Sequence, residues 1–304
     1  MFQNMSNIPS FGGDWSDAKL SVIREYMRSY CTALSRSRFE RIYIDAFAGA
    51  GVRCIEADRK LNDENDLGLM EAERDAKEDA AVRHGSPLQA LATEPGFHRF
   101  IFIEQAEASI DELKKQVAQS GLLGSRQVEY HTGDANDVLN GLTSQQWDSK
   151  RAVAFLDPFA LHVKWSTVEA IAKTQAIDMW LLFPAMAVNR MLPRSGRVPP
   201  VWAERLDETF GDTTRRSEFY EVAHSTDLFG DEAFDKTPRP FERLSTYLTK
   251  RLATVFASTH KEPLMLRTSS GSPLFLLCFG CGNPKGAPIA KRIAQHLINK
   301  SRRM

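Results

Sequence analysis

The stretch AFLDPFA, residues 154–160, drives an apolar run straight into Asp157-Pro158. Ala154, Phe155 and Leu156 read as the end of a buried strand, and Pro158 cannot donate to a strand ladder beyond it. An acid at that point either caps the strand or meets a ligand at the edge of a sheet. The neighbouring runs bear on the choice. RIYIDAF (41–47), RFIFIEQ (99–105), QVEYHTGD (127–134), RAVAFLDP (151–158) and IDMWLLFP (177–184) read as strands, with a polar helix through 106–119 and the helix VEAIAKTQ (168–175) between them. Strands alternating with helices predict βαβ units, a parallel sheet and right-handed crossovers. Asp45, Glu104, Asp134 and Asp157 then fall at the carboxyl ends of successive strands, where doubly wound sheets bind ligands.

The rest of the chain fits around this core. Ser16 is an expected N-cap for a helix from Asp17 to about Leu34, with Leu20, Ile23, Met27 and Tyr30 at helical spacing. Residues 52–83 are rich in mixed charge and poor in aromatics, which predicts an exposed insertion, partly helical near 69–82. HGSPLQALAT reads as a capped helical turn. Residues 185–262 show no clear strand and are expected to form a helical insertion holding PRSGRVPP, WAERLDETF and RLSTYLTKRLATVF. PLMLRTSS and PLFLLCFG predict a closing antiparallel pair, followed by the helix APIAKRIAQHLINK. The expectation is one α/β domain over 1–304: a doubly wound, mostly parallel sheet with a C-terminal antiparallel strand, carrying the two insertions.

Bulk properties narrow the function. Of 304 residues, 42% are hydrophobic and 26% charged, the balance of an ordinary soluble protein. Lys+Arg and Asp+Glu both number 39, so a basic surface would have to be local. The longest apolar runs, such as LFLLCF (274–279), are too short to span a bilayer, so no membrane partner is expected. MFQNMSNIPS lacks the basic and apolar regions of a secretory signal, and Cys31, Cys54, Cys278 and Cys281 lack framework spacing. A reducing cytoplasm is the expected location. Cys278 and Cys281 form a lone C-x-x-C, read as buried thiols, and the scattered histidines show no ligand pattern, so no metal is expected. Neither a P-loop nor a hydrolase signature occurs.

The acids describe a ligand. Gly49 and Gly51 in IYIDAFAGAG (42–51) let backbone approach a ligand closely, and Asp45 before them suits a cationic amino group better than a diphosphate. Glu104 is placed to accept both hydroxyls of a ribose. Asp134, or a backbone N–H beside it such as that of Ala135, can bond an adenine edge; the alternative for Asp134 is a turn that bonds its own backbone. Together they describe a nucleoside with a charged tail.

Asp45-x-Phe47-x-Gly49-x-Gly51, Glu104, Gly133-Asp134 and Asp157-Pro158-Phe159 resemble the ordered motifs of class I S-adenosylmethionine-dependent methyltransferases. More narrowly, YIDAFAGAG, GSPLQAL, FIFIEQ, FLDPFALHVKW, IDMWLLFP with AVNRML, and CGNPKGAPIAKRIA resemble the three-Cys-motif partner (TcmP) family over nearly the whole chain. That resemblance implies a Rossmann-like methyltransferase fold, S-adenosylmethionine as cofactor, Phe47 among the cofactor residues, and a separate three-cysteine protein as partner. The spacing is also similar to bacterial ribosomal-RNA adenine-N6 methyltransferases; in that comparison Lys19 and Ser86 match cofactor-contacting residues.

Amino-group methyltransferases often carry [DNS]-P-P-[YFW] after the fourth strand. The acid and a backbone carbonyl orient the target amine, and the aromatic stacks on the base. Here Asp157 and Pro158 match, Phe159 replaces the second proline, and Ala160 replaces the aromatic. Stacking therefore falls to Phe159, Trp165 or another ring. Arg190, Arg194 and Arg197, with Trp202 nearby, are candidate contacts to an RNA or DNA substrate, as is the tail Lys300-Arg302-Arg303. A partner protein that keeps the cofactor fold without catalysing transfer is the alternative.

Overall fold

Each apolar run alternates between two cores. In strand β1 (Glu40–Asp45), Ile42 and Ile44 enter one cluster while Tyr43 enters the other. In β2 (Arg99–Glu104), Ile101 and Ile103 part from Phe100 and Phe102. β4 (Lys150–Leu156) and β5 (Ile177–Phe183) do the same, Val153, Phe155, Trp180 and Leu182 lying opposite Ala154, Leu156, Met179 and Leu181. Period-two alternation of side chains buried on both faces is what a covered parallel sheet requires.

This protein is represented by a computed structural model that describes residues 14–51, 85–226, 232–268 and 270–303. The expected charged insertion at 52–83 lies outside the described residues. The first five strands, including β3 (Gln127–Thr132), are parallel in the order β3-β2-β1-β4-β5. β10 (Pro273–Cys281) joins β5 antiparallel, and β8 (Ser258–Thr259) and β9 (Leu264–Arg267) pair with β10. The doubly wound α/β architecture with an antiparallel strand at its C-terminal end is therefore present. Helices α1 (Asp14–Ala33), α2 (Ser86–Leu91), α3 (Glu107–Gln119) and α10 (Ala287–Ser301) cover one face. α4 (Ala135–Thr143) and α5 (Trp165–Lys173) cover the other, where α6 (Ala185–Met191), α7 (Pro200–Phe210), α8 (Arg215–Phe219) and α9 (Pro240–Val255) extend the layer.

Three local expectations are corrected. Ser16 does not cap α1, which already includes Asp14; it is an interior helical residue only 4% exposed. Residues 185–262 are not wholly helical: β6 (Tyr220–Thr226) and β7 (Glu232–Lys236) form an antiparallel ribbon, and β8 returns to the main sheet. These strands are short and polar, so they lack the apolar runs that marked the others. The helical turn in HGSPLQALAT has no side-chain cap: Gly85 occupies the cap position without a side-chain bond, and Ser86 is the first residue of α2.

Cys278 and Cys281 are both fully buried, and burial pushes both thiols upward. Three residues apart on one strand, they face opposite cores. The C-x-x-C spacing therefore brings no shared ligand geometry.

Candidate cofactor and substrate site

Strand order reverses between β1 and β4, so the space beyond their carboxyl ends is the sheet's switch point. Asp45 ends β1 opposite Phe155 of β4, and Asp157 follows two residues later. The register thus brings two carboxylates together, and both look toward the α1–α2 face.

Asp45 is completely buried. Its Oδ2 accepts a hydrogen bond from the Tyr43 hydroxyl at 3.1 Å, and its Oδ1 accepts one from the Phe47 N–H at 3.4 Å. The Ser86 hydroxyl also donates to it. Burial, with Asp157 adding to it, pushes the Asp45 carboxyl up to about 7 against the pull of these donors. The groups that stabilise its charge are neutral donors, so a cationic amino group is the ligand that best complements it. Tyr43 was missed in the sequence, although a hydroxyl two residues before an acid on one strand shares its face.

Lys19 reaches from α1 onto Asp157 and donates to Oδ2; the lysine side chain is 2% exposed, the aspartate 23%. α1 runs antiparallel to β4: Tyr30 donates to the Ala152 carbonyl at 3.2 Å, and Lys19, nearer the N-terminus, meets Asp157 beyond the strand's end. The lysine and serine matched by resemblance both converge on the two acids.

Glu104 is 8% exposed and accepts from the Gly49 N–H and the Ala106 N–H, each at 3.0 Å. It ties the glycine loop to the end of β2, and each oxygen retains a lone pair for a ribose hydroxyl. Gly49 has φ +59, with open space where a Cβ would stand. Gly51 has φ +76, and a Cβ there would lie 2.6 Å from Leu113 Cδ1. The first glycine leaves room above the loop; the second lets the loop pack on α3.

Asp134 adopts the turn alternative. Its Oδ1 accepts from the N–H groups of Asn136 at 2.8 Å and Asp137 at 3.3 Å, capping α4. Oδ2 and the exposed edge of the turn remain for a base, while Ala135 is buried as the first residue of the helix.

The loop after β4 places its two aromatic candidates differently. Phe159 is 47% exposed beside Asp157. Pro158 and Ala160 turn inward and line a narrow apolar cleft with Leu161, Phe183, Pro184 and Leu248. Trp165 is a correction: it is 3% exposed, its Nε1 donates to Glu169 at 2.8 Å, and the Arg251 guanidinium lies 4.5 Å from its ring centroid. A ring so enclosed belongs to the core and offers no face to a base.

Asn136 was not singled out in the sequence, yet it anchors this loop. Its amide donates to the His162 carbonyl at 2.8 Å, and its Oδ1 accepts from the Lys164 N–H at 3.0 Å and the Thr167 hydroxyl at 2.8 Å. Nothing in the sequence connects position 136 with 162–167.

Arg190, Arg194 and Arg197 are exposed at the end of α6 and in the loop after it, one helix beyond Pro184. Lys236 of β7 clasps the end of α6 by donating to the Asn189 and Leu192 carbonyls at 2.7 Å each. Burial, with Arg194 nearby, lowers its ammonium to about 8.

No protein-family model matches the chain, and no curated protein does. Among solved structures, a Legionella pneumophila protein is similar with 15% identity and TM-score 0.42, over 80% of this chain and 93% of that one. A SAM-dependent methyltransferase from Methanosarcina mazei is similar with 13% identity and TM-score 0.31, over 80% of this chain and 93% of that one. At these scores the likenesses do not bear on activity, which rests on the residues themselves.

Proposed function

We propose that the chain is an S-adenosylmethionine-dependent methyltransferase acting on an amino group of a nucleic-acid base. The observation that carries this reading is the convergence of Asp45, Ser86, Lys19 and Asp157 at the switch point, beside the exposed ring of Phe159. When bound, the cofactor supplies an electrophilic methyl group on a positively charged sulfur. Asp45 takes its amino group, Glu104 its ribose, and the turn at Asp134-Ala135 its adenine. Asp157 accepts from the target amine and aims its lone pair, Phe159 stacks on the extruded base, and Arg190, Arg194 and Arg197 hold flanking phosphates.

Calorimetry with S-adenosylmethionine and S-adenosylhomocysteine tests this directly. Saturable binding that is lost in Asp45→Ala is expected; no binding at millimolar ligand by a folded protein overturns it.

A second reading has one observation in its favour: Lys19 already occupies Asp157. In that reading the chain binds cofactor as a non-catalytic partner of a three-cysteine protein, the association that the TcmP resemblance implies. Asp157→Ala separates the two, since a phenotype that survives it excludes transfer through this residue.

A further inference from the structure

Two polar groups at the start of α1 are buried without a partner among the described residues: the Ser16 hydroxyl and the indole Nε1 of Trp15. Ser16 is 4% exposed. Buried donors without acceptors destabilise a fold, so their persistence calls for a reason.

Their position supplies one. Ser16 and Trp15 precede Lys19 by three and four residues, so all three share one helix face, and Ser16 stands about 4.5 Å further along the axis. Because α1 runs antiparallel to β4, that direction leads outward past the carboxyl edge of the sheet. The Lys19 ammonium lies 5.2 Å from the Trp15 ring centroid, and the indole is fixed by stacking on Phe275 at 5.0 Å. The Lys19 ammonium thus meets Asp157, and the Ser16 hydroxyl and the Trp15 indole belong to the turn just before it on the same helix; Asp157 is itself close enough to Asp45 to influence its ionisation.

We infer that Ser16 and Trp15 bind the carboxylate of the cofactor's methionyl group. The inference rests on the methyltransferase reading and adds two residues to it. The amino and carboxylate groups of an amino acid hang on one carbon. An acid that takes the first therefore needs donors for the second close by, and the first turn of α1 presents them. A phosphate of the substrate has the same acceptor chemistry and is the competing occupant.

The test compares S-adenosylhomocysteine with 5′-methylthioadenosine, which lacks the amino-acid group, by calorimetry on the wild type, Ser16→Ala and Trp15→Phe. Each substitution is expected to weaken S-adenosylhomocysteine about tenfold and to leave 5′-methylthioadenosine unchanged. Ser16→Ala should also raise the melting temperature of the unliganded protein, because it removes an unsatisfied hydroxyl. Unchanged S-adenosylhomocysteine affinity, including the case where only binding of an RNA or DNA oligonucleotide weakens, overturns the assignment alone. Equal weakening of both ligands marks a structural role and overturns it too. A wild type that binds neither ligand removes the methyltransferase reading and this inference with it.

Discussion

The ammonium of Lys19 donates to the carboxylate of Asp157 across 138 residues of sequence, joining the first helix to the loop that follows the fourth strand. The two partners are unequally placed: the lysine side chain is 2% exposed and the aspartate 23%. Removing the aspartate takes a charged partner from a nearly enclosed ammonium, whereas removing the lysine leaves a carboxylate that can reach water. Asp157→Ala should therefore cost about 2–4 kcal/mol of stability and Lys19→Met about 1–2 kcal/mol. Urea unfolding of both variants at neutral pH checks the order; the reverse order contradicts this account of the pair.

Asp45 links stability and binding to pH in opposite senses. Its carboxyl titrates at about 7 when folded, against an ordinary value of 3.8. Between those values the folded state holds the extra proton, so this group's contribution to stability is fully present below about 4 and is lost as pH rises through about 7. Asp45→Asn should stabilise the protein by about 1–3 kcal/mol at pH 8. Binding of a cationic amino group requires the ionised form, so cofactor affinity should fall by up to about tenfold per pH unit below 7. Calorimetric titrations at several pH values, alongside melts of both proteins, measure the two trends.

Phe159 and Trp165 should separate cleanly on substitution. Phe159→Ala removes a ring that is 47% exposed and should change stability by no more than about 0.5 kcal/mol while weakening substrate recognition. Trp165→Ala opens the core and should cost about 3–5 kcal/mol. Denaturant midpoints for the pair, with oligonucleotide binding for the first, provide the readout.

Asn136→Ala deletes the hydrogen bonds that hold residues 162–167. We expect a loss of about 1–3 kcal/mol and slower methyl transfer; the Asn136 amide also donates to the Asp134 carboxylate at 3.1 Å, so affinity at the proposed adenine end should weaken as well, by less than transfer slows. Parallel measurement of kcat and S-adenosylhomocysteine affinity tells positioning from binding.

If the loop after α6 meets phosphates, neutralising Arg190, Arg194 and Arg197 together should flatten the salt dependence of oligonucleotide binding. The slope of log K against log salt should fall by about two to three. Titrations between low and moderate salt give that slope; an unchanged value removes these arginines from the interface.

The legible parts of this molecule were those written in single-residue patterns. Strands buried on both faces need continuous apolar runs, so YID, FIFIE and AFLD showed both the sheet and the acids at its ends. Where stability comes from a partner distant in sequence, the chain gave little sign. Asn136 looks like any residue of a polar turn until it meets His162, Lys164 and Thr167. Trp165 carries a ring suited to stacking, and only packing under Arg251 shows that it is enclosed. The β6–β7 ribbon was hidden because its residues are as polar as those of a loop.

The loop after β4 is secured from both sides of the sheet: Lys19 holds its first residue from the α1 face, and Asn136 holds its far end from the α4 face. Eight residues therefore span two otherwise separate cores like a tensioned bridge. A molecule that shifts the cofactor-side helices pulls on one abutment, and a substrate that presses against the α6–α9 layer loads the other. If the proposed cofactor and substrate both bind here, this loop is the link through which one would feel the other, and a cofactor affinity unchanged by substrate would show that it carries no coupling.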